Sequence, residues 1–226
     1  MSKIKVVAIS DTHGHLPDIP ECDLLLVAGD ICPTMDHSIG FQECWLDSAF
    51  RYWLKNQPAK QIVGCAGNHD YIFETPSRVP KDLKWKYLQD DYTWYEDFMI
   101  YGTPWQPYFF GWAFNLYEPD LEKKWEKVPL DTEILVLHSP PYGYGDEAAR
   151  MLTDENETEW PSTERTGSPS LLKKIDELKD LKLAVFGHIH PGYGKYERDG
   201  KILANVSYLD NKYQPGNPIM NFTLEK

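Results

Sequence analysis

Short apolar runs that end in aspartate, asparagine or histidine are the feature that most constrains this chain. Five such runs have the length and composition of buried strands: Ile4–Ile9, Leu24–Ala28, Gln61–Ala66, Ile134–Leu137 and Leu183–Phe186. The polar residues just beyond them are Asp11, His13, Asp30, Asn68, His69, His138, His188 and His190. In open α/β sheets, ligands bind beyond the carboxyl ends of the strands, so these side chains are expected to meet at one crevice.

The residue types at these strand ends predict a metal centre. A lone histidine after a strand is usually structural, but five of the chain's 7 histidines are placed this way, beside carboxylates and an amide. Imidazole and oxygen donors without a thiolate suit Mn, Fe, Zn or Ni, with Mn favoured. Seven of these side chains are too many ligands for one ion: Asp11, His13, Asp30, Asn68, His138, His188 and His190. They predict two divalent ions that share a bridging carboxylate, an arrangement that enzymes use for phosphoester hydrolysis.

The remaining pattern predicts an α/β chain. Further strands are expected at 98–101, 202–206 and 219–224, a helix over 41–55, and another helix that starts at Ser168-Pro169. Neither a repeat nor a linker divides the sequence, so residues 1–226 are predicted to form a single domain. The segment 142–167 is polar and contains few apolar residues, which fits either a flexible lid over the site or a solvated acidic loop.

Charge and composition exclude several classes of function. The net charge of −12 disfavours a protein whose main partner is a long nucleic acid. The sequence lacks an apolar run of the length that spans a membrane, and its N-terminus does not read as a signal peptide. The 4 cysteines are scattered, as is typical of the reducing cytoplasm, where we expect the protein to be located. The pattern does not predict an oligomeric state.

Five motifs, in order along the chain, resemble the calcineurin-like metallophosphoesterases. They are DTH (Asp11–His13), GD (Gly29-Asp30), GNHD (Gly67–Asp70), HSPP (His138–Pro141) and GHIH (Gly187–His190). Two further stretches, Gly102–Leu116 and the C-terminal NVS…YQPGNP, are similar to the fetal-brain metallophosphoesterase-domain-containing subgroup and its microbial relatives. The resemblance implies an α-β-β-α sandwich, in which two mixed sheets are flanked by helices.

The resemblance also implies a role for each motif residue. It gives two sets of metal ligands: Asp11, His13 and His190 for one ion, and Asn68, His138 and His188 for the other. Asp30 would bridge the two ions. His69 would protonate the leaving oxygen and Asp70 would orient His69, which makes these two residues the predicted catalytic pair.

The aromatic stretch Trp105–Phe114 has two interpretations. Trp105, Phe109 and Trp112 are candidate substrate-binding residues that would stack on a nucleobase. Alternatively, the rings only fasten a loop to the sheet, as buried aromatic residues usually do.

The preferred function is therefore a two-metal phosphodiesterase that acts on small nucleotides, cyclic ones included, or on similar phosphodiesters. A phosphomonoesterase or nucleotidase would use the same site. The GD block lacks the arginine that many family members carry after it, which weakens the case for monophosphates. A nuclease is disfavoured by the charge, and a non-catalytic scaffold is disfavoured because every motif residue is present.

Overall fold

The computed structural model describes residues 3–149 and 163–226, which form two large mixed sheets and two small ones. The first large sheet contains five strands, in the spatial order β15 (Met220–Glu225), β1 (Lys3–Ile9), β2 (Cys22–Ala28), β3 (Ala59–Cys65) and β4 (Lys86–Tyr87). Strands β1 to β4 are parallel, and β15 pairs with β1 in the antiparallel direction.

The second large sheet has the same plan with one more strand. Its order is β13 (Gly194–Arg198), β14 (Lys201–Asn205), β12 (Leu183–Phe186), β9 (Ile134–Leu137), β6 (Phe98–Thr103) and β5 (Asp91–Tyr95). The four inner strands are parallel, and the two edge strands are antiparallel to their neighbours. All the strands that precede predicted ligands therefore belong to parallel parts of a sheet.

The two sheets pack face to face because both faces of their inner strands are apolar. Successive side chains of a strand point to opposite sides. Val6 and Ala8 of β1 join a buried cluster between the sheets, together with Ile100 of β6 and Val136 of β9. This shared core holds the carboxyl ends of the two sets of parallel strands next to each other.

Helices cover the outer faces of both sheets. On the first sheet lie α1 (Ile39–Trp45), a π-helical turn (Leu46–Phe50) and α2 (Arg51–Asn56), which run on as one helix and confirm the helix predicted over 41–55. On the second sheet lie α3 (Glu118–Trp125) and α4 (Pro169–Glu177). The Ser168 side chain caps α4 by accepting a hydrogen bond from the Leu171 N–H, as predicted. The layers are those of the predicted α-β-β-α sandwich.

The two small sheets contain two strands each. Strand β7 (Gln106–Pro107) lies near the start of the aromatic stretch and pairs with β8 (Asn115–Leu116), which follows the stretch. Strand β10 (Glu147–Ala149) pairs with β11 (Thr163–Arg165). The predicted lid over 142–167 includes residues 150–162, which lie outside the described residues. Within the described part of the chain, none of the helices is long and apolar enough to cross a membrane.

Candidate metal centre

The polar residues that follow five parallel strands meet at one place, where the carboxyl ends of the two sheets lie side by side. Strands β1, β2 and β3 contribute Asp11, His13, Asp30, Asn68 and His69, and strands β9 and β12 contribute His138, His188 and His190. Most of these side chains are buried: Asp11 and His138 are both 0% exposed, and Asp30 is 2% exposed. Buried charges and imidazoles in this number require strong partners.

The backbone is strained at four of these positions. Asp11, His13, Asp30 and His188 have φ values of 50°, 42°, 52° and 68°, in the left-handed region that residues other than glycine seldom adopt. Such strain persists only where the surrounding structure enforces it, and it is concentrated at functional sites. The four residues are all predicted metal ligands, so the fold uses backbone strain to point ligand side chains inward.

Two motif glycines are required because the ligand carboxylates touch the backbone. A Cβ at Gly67 would collide with the Asp30 carboxylate, and a Cβ at Gly187 would collide with the carboxylate of Asp11. Each glycine directly precedes a predicted ligand, Asn68 or His188. The close approach explains why the GNHD and GHIH blocks both open with glycine.

One group of donors consists of Asp11, His13 and His190. A carboxylate oxygen and a ring nitrogen from each histidine lie within 4.8 Å of one another. The His188 N–H and the Ser207 hydroxyl donate to Asp11, at 3.0 Å and 2.8 Å from Oδ2. His190 Nδ1 donates to the Asp210 carbonyl oxygen at 2.9 Å, which leaves Nε2 directed to the other donors.

The second group of donors consists of Asn68, His138 and His188. The Asn68 Oδ1 atom lies 2.8 Å from His138 Nε2 and 2.7 Å from His188 Nδ1. His138 is oriented from behind, where its Nδ1 donates to the Ala28 carbonyl oxygen at 3.0 Å. The three side chains therefore converge on one point, as the predicted second ligand set requires.

Asp30 stands between the two groups. Its Oδ2 atom lies 3.7 Å from His13 Nε2 and 3.4 Å from His138 Nε2, so it faces one histidine of each set. Asp30 Oδ1 accepts a hydrogen bond of 2.8 Å from the His69 backbone N–H. Asp11, Asp30 and His138 also place ligand atoms within 4.8 Å of one another.

The separation between His190 and Asp11 fits two ligands of a shared ion. The distance between His190 Nε2 and Asp11 Oδ1, 3.4 Å, is long for a hydrogen bond. Two donors that each lie about 2.1 Å from one ion are about 3.0–3.4 Å apart at octahedral or tetrahedral angles. Among the described residues, both ring nitrogens of His13 and the Nδ2 atom of Asn68 are buried without a hydrogen-bond partner. Imidazole nitrogens that lack a hydrogen-bond partner and lie beside carboxylates are available as metal ligands. The residues therefore fit divalent metal ions.

The protonation states of His13 and His188 favour metal binding as well. Burial lowers the pKa of His13 to about 4 and that of His188 to about 3, so both rings are neutral and carry a lone pair at pH 7. Burial alone would raise the pKa of Asp11, but the hydrogen bond and charge of His190 lower it. Burial also lowers the pKa of His138, but the Asp30 carboxylate beside it raises that pKa to about 9.

His69 lies beside the donor groups without joining either one. Its ring is 5.2 Å from the His13 ring and 4.8 Å from the Trp112 ring, measured between centroids. Its Nδ1 atom contacts Nε2 of His37 at 3.0 Å. An imidazole next to a metal centre has the position that a general acid needs.

The expected contact between Asp70 and the His69 ring is not found. The Asp70 carboxylate instead accepts hydrogen bonds from the backbone N–H groups of Gly67 and Cys32, both at 2.8 Å, and of Ile31 at 3.3 Å. Its pKa is raised to about 6 by burial and by the charge of Asp30. Asp70 therefore links the GD and GNHD loops behind the site. Its carboxylate is saturated on that side, because it already accepts hydrogen bonds from three N–H donors.

A cavity of about 440 Å³ opens in front of the donor groups. Of the three aromatic candidates, Phe109 and Trp112 line it, and Trp105 does not belong to the lining that the structure describes. The Trp105 Nε1 atom donates to Asp90 at 2.8 Å, and Lys124 sits over its ring. We therefore correct the assignment of Trp105: it fastens the segment to the second sheet.

Sequence reasoning missed several residues of this site. Tyr213 lies against the His13 and His190 rings, with centroid distances of 5.1 Å and 4.8 Å, and lines the cavity. Ser207 supports Asp11, and His37 contacts His69. Tyr213 and Ser207 belong to the stretch NVS…YQPGNP, which carried the subgroup resemblance and was the signal available for them.

Comparisons with known proteins agree with this geometry. The profile of the family "Calcineurin-like phosphoesterase" matches residues 4–192. The chain is 32% identical over 245 residues to human "Metallophosphoesterase domain-containing protein 1", with 95% of this chain and 69% of the human protein covered. It is 30% identical over 231 residues to a UPF0046 protein of Caenorhabditis elegans, with 84% of this chain and 52% of that protein covered. A solved crystal structure superposes with a TM-score of 0.59 and 14% identity, covers 90% of each chain, and supports the fold alone.

Fold and site together define a metal-dependent phosphoester hydrolase. The chain belongs to the calcineurin-like phosphoesterase family. The family, the fold class and the enzyme class predicted from the sequence are thereby confirmed. Family membership implies divalent metal ions and a small phosphoester as substrate, and the Asp and His groups described above could hold such ions.

Proposed function

We propose that this enzyme is a two-metal phosphodiesterase that hydrolyses small nucleotides, cyclic nucleotides included, with Mn as the favoured metal. The observation that carries the proposal is the arrangement of seven convergent donors, a separate imidazole and an aromatic wall around one cavity. Each of these three features serves a different part of a nucleotide phosphodiester.

The donors divide into the two ligand sets already described, with Asp30 as the bridge. Asp11, His13 and His190 would hold one ion, and Asn68, His138 and His188 the other. Divalent ions in such a site polarise a phosphoryl oxygen and lower the pKa of water. Both ring nitrogens of His13 are buried without a hydrogen-bond partner, which supports this assignment, because without an ion they carry an energetic cost.

His69 would transfer the proton. Hydrolysis adds water across a P–O bond, and the departing alkoxide of a nucleotide is a poor leaving group that needs a proton. The His69 ring lines the cavity, and its backbone N–H is fixed by Asp30. In the proposed step, the imidazolium N–H bond breaks and the O–H bond of the leaving group forms. Asp70 contributes by holding the two loops that carry Asp30 and His69.

The cavity has the size and lining for a nucleotide. Its volume of about 440 Å³ lies in the range of small-ligand sites. The rings of Tyr108, Phe109 and Trp112 form one wall, and Tyr213 lies on the same cavity. Phe109 is 39% exposed and its ring is 5.3 Å from that of Trp112, so these rings offer free faces for a base to stack on.

The charges of the lining favour a diester over a monoester. Arg165 is the one lysine or arginine among the described residues that line the cavity, and it is paired with Asp146 at 2.9 Å and with Glu147 at 2.8 Å. A phosphate monoester carries nearly two negative charges near pH 7, whereas a diester carries one. Because the charge of Arg165 is already neutralised by these two carboxylates, the lining suits the less charged substrate.

The test is a substrate panel on protein reconstituted with Mn²⁺. The panel contains cyclic nucleotides, the matching nucleoside monophosphates, and aryl phosphodiesters and phosphomonoesters. We expect kcat/KM for the diesters to exceed that for the monoesters at least about tenfold, which corresponds to about 1.4 kcal/mol of transition-state preference. Asp30→Ala, purified in parallel, controls for contaminating phosphatases. A preference for the monoesters would overturn the diester assignment.

A further inference from the structure

His69 has a neighbour that no part of the proposed mechanism has used. The Nδ1 atom of His69 lies 3.0 Å from Nε2 of His37, and their ring centroids are 5.0 Å apart with the planes tilted by 34°. His37 is half-buried, and its ring centroid lies 5.2 Å from that of Tyr71. His37 is not part of the cavity lining that the structure describes. His37 therefore contacts His69 from outside the described cavity lining.

Helix α1 holds His37 in this position. Ser38 begins the helix by accepting a hydrogen bond from the Phe41 N–H. Gln42, which is fully buried, donates from Nε2 to the His69 carbonyl oxygen at 2.6 Å and accepts from the Ile72 N–H at 2.9 Å. His37 directly precedes Ser38, the residue that caps α1, and Gln42 of the same helix holds the His69 backbone. Buried contacts of this helix therefore set the spacing of the two rings.

We propose that His37 is a positioning residue for His69, whose Nδ1–H donates a hydrogen bond to His37 Nε2. The inference rests on the proposed role of His69 as the proton donor. With Nδ1 engaged by His37, Nε2 is the nitrogen that faces the cavity. A neutral imidazole carries a proton on one ring nitrogen only, so an acceptor at Nδ1 selects the tautomer.

The proton balance of the step explains why this selection matters. When His69 acts, its Nε2–H bond breaks and the leaving oxygen gains the proton, while the Nδ1–H bond to His37 stays intact. The product is the tautomer with a free Nε2, which can take up the next proton on the cavity side. Without an acceptor at position 37, the other tautomer becomes accessible and the ring is free to turn.

The kinetic test compares poor and good leaving groups in the metal-loaded enzyme. For His37→Ala we expect kcat to fall about tenfold or more for an alkyl phosphodiester and less than about twofold for a 4-nitrophenyl diester, which needs little protonation. His37→Gln should restore most of the loss, because its side-chain oxygen can accept near the position of Nε2. His15→Ala is the matched control, since His15 is exposed and takes no part in the site.

Two further measurements separate positioning from a structural role. Added to His69→Ala, the His37→Ala change should cause no further loss, because its effect acts through His69. In the Zn²⁺-loaded enzyme, ¹⁵N NMR of the imidazoles should show His69 as the Nδ1–H tautomer, and as a tautomer mixture in His37→Ala. The His69 signals are assigned by their loss in His69→Ala.

The outcomes distinguish this inference from the proposed function. If the loss of kcat in His69→Ala is the same for poor and good leaving groups, the general-acid role of His69 fails and the inference falls with it. If His69→Ala shows that dependence but His37→Ala does not, only the role of His37 is overturned. An equal loss for both leaving groups, together with a lower metal content or melting temperature, would also overturn it by showing a structural role.

Discussion

The strand-end loops and the aromatic segment Trp105–Phe114 both face the cavity, but they reach it in different ways. In the strand-end loops, each functional side chain follows a buried parallel strand, so the direction of the chain is determined before the loop begins. The aromatic segment contains the short strand β7, ends just before β8, and divides its rings between two sides. Phe114 is 1% exposed in the core, whereas Phe110 is 55% exposed.

The difference shows when a sequence pattern carries positional information. For a residue that follows a strand, its type and its distance from the strand end suffice to predict its position, because the sheet determines the geometry. In the aromatic segment every ring is apolar enough to lie either in the core or at the cavity. Only tertiary contacts determine which of the two positions each ring takes. Phe114 packs against Trp105 at a centroid distance of 5.4 Å, while Trp112 stands over His69 at 4.8 Å. The two regions can therefore be tested separately.

The largest effect is expected in the strand-end loops, from Asp30→Ala. Wild-type protein saturated with Mn²⁺ should hold close to two ions per chain, and the variant should hold neither, because Asp30 faces a histidine of each ligand set. Metal content after desalting, measured by inductively coupled plasma mass spectrometry, checks this. The exposed Asp18→Ala is the matched control and should keep both ions. Retention of one ion by Asp30→Ala would make Asp30 a ligand of a single site.

A change at His69 should separate metal binding from chemistry within the same loops. His69→Ala should keep both ions, because the ring belongs to neither donor group, yet lose on the order of 10²–10⁴-fold in kcat for alkyl diesters. The loss should shrink for 4-nitrophenyl esters, whose leaving group is stable without a proton. Equal losses for the two leaving groups would remove His69 from the role of general acid.

The features that the sequence could predict are again those determined by local pattern, and the features it could not predict are those determined by tertiary contacts. The strands over 4–9, 24–28 and 183–186 and the helix over 41–55 are all confirmed, since their apolar spacing is unambiguous. Helix α3 escaped prediction because its stripe is short, with Leu121 and Trp125 as its buried residues. The two-sheet architecture came from family resemblance, since strand counts alone do not say which strands pair.

Within the site, the errors concern contacts made across long sequence separations. The family resemblance implied that Asp70 orients His69, but the side chains of these adjacent residues diverge and the His69 ring meets His37 instead. Asp70 turns toward backbone N–H groups of residues 31 and 32. A residue 32 positions away cannot be chosen from sequence spacing alone.

The inward side of the aromatic segment should respond in stability. Phe114→Ala removes a fully buried ring that packs on the first sheet, and should lower the free energy of unfolding by about 3–5 kcal/mol. Phe110→Ala, four residues away and exposed, should change it by less than about 0.5 kcal/mol. Urea denaturation followed by circular dichroism measures both. Similar losses in the two variants would mean that the segment folds as one buried unit.

The outward side of the segment should respond in substrate preference, with the smallest effect of the four. If Trp112 stacks on a base, Trp112→Ala should lower kcat/KM for a cyclic nucleotide by about 1–3 kcal/mol in transition-state free energy. The O-methyl riboside of the same cyclic phosphate lacks the base and should be hydrolysed at a nearly unchanged rate. This comparison is needed because the Trp112 ring also contacts His69, and a disturbance of His69 would slow both substrates alike. Trp112→Phe keeps a ring to stack on and should recover much of the loss. A uniform loss in Trp112→Ala would show that Trp112 supports His69 and that the base binds elsewhere.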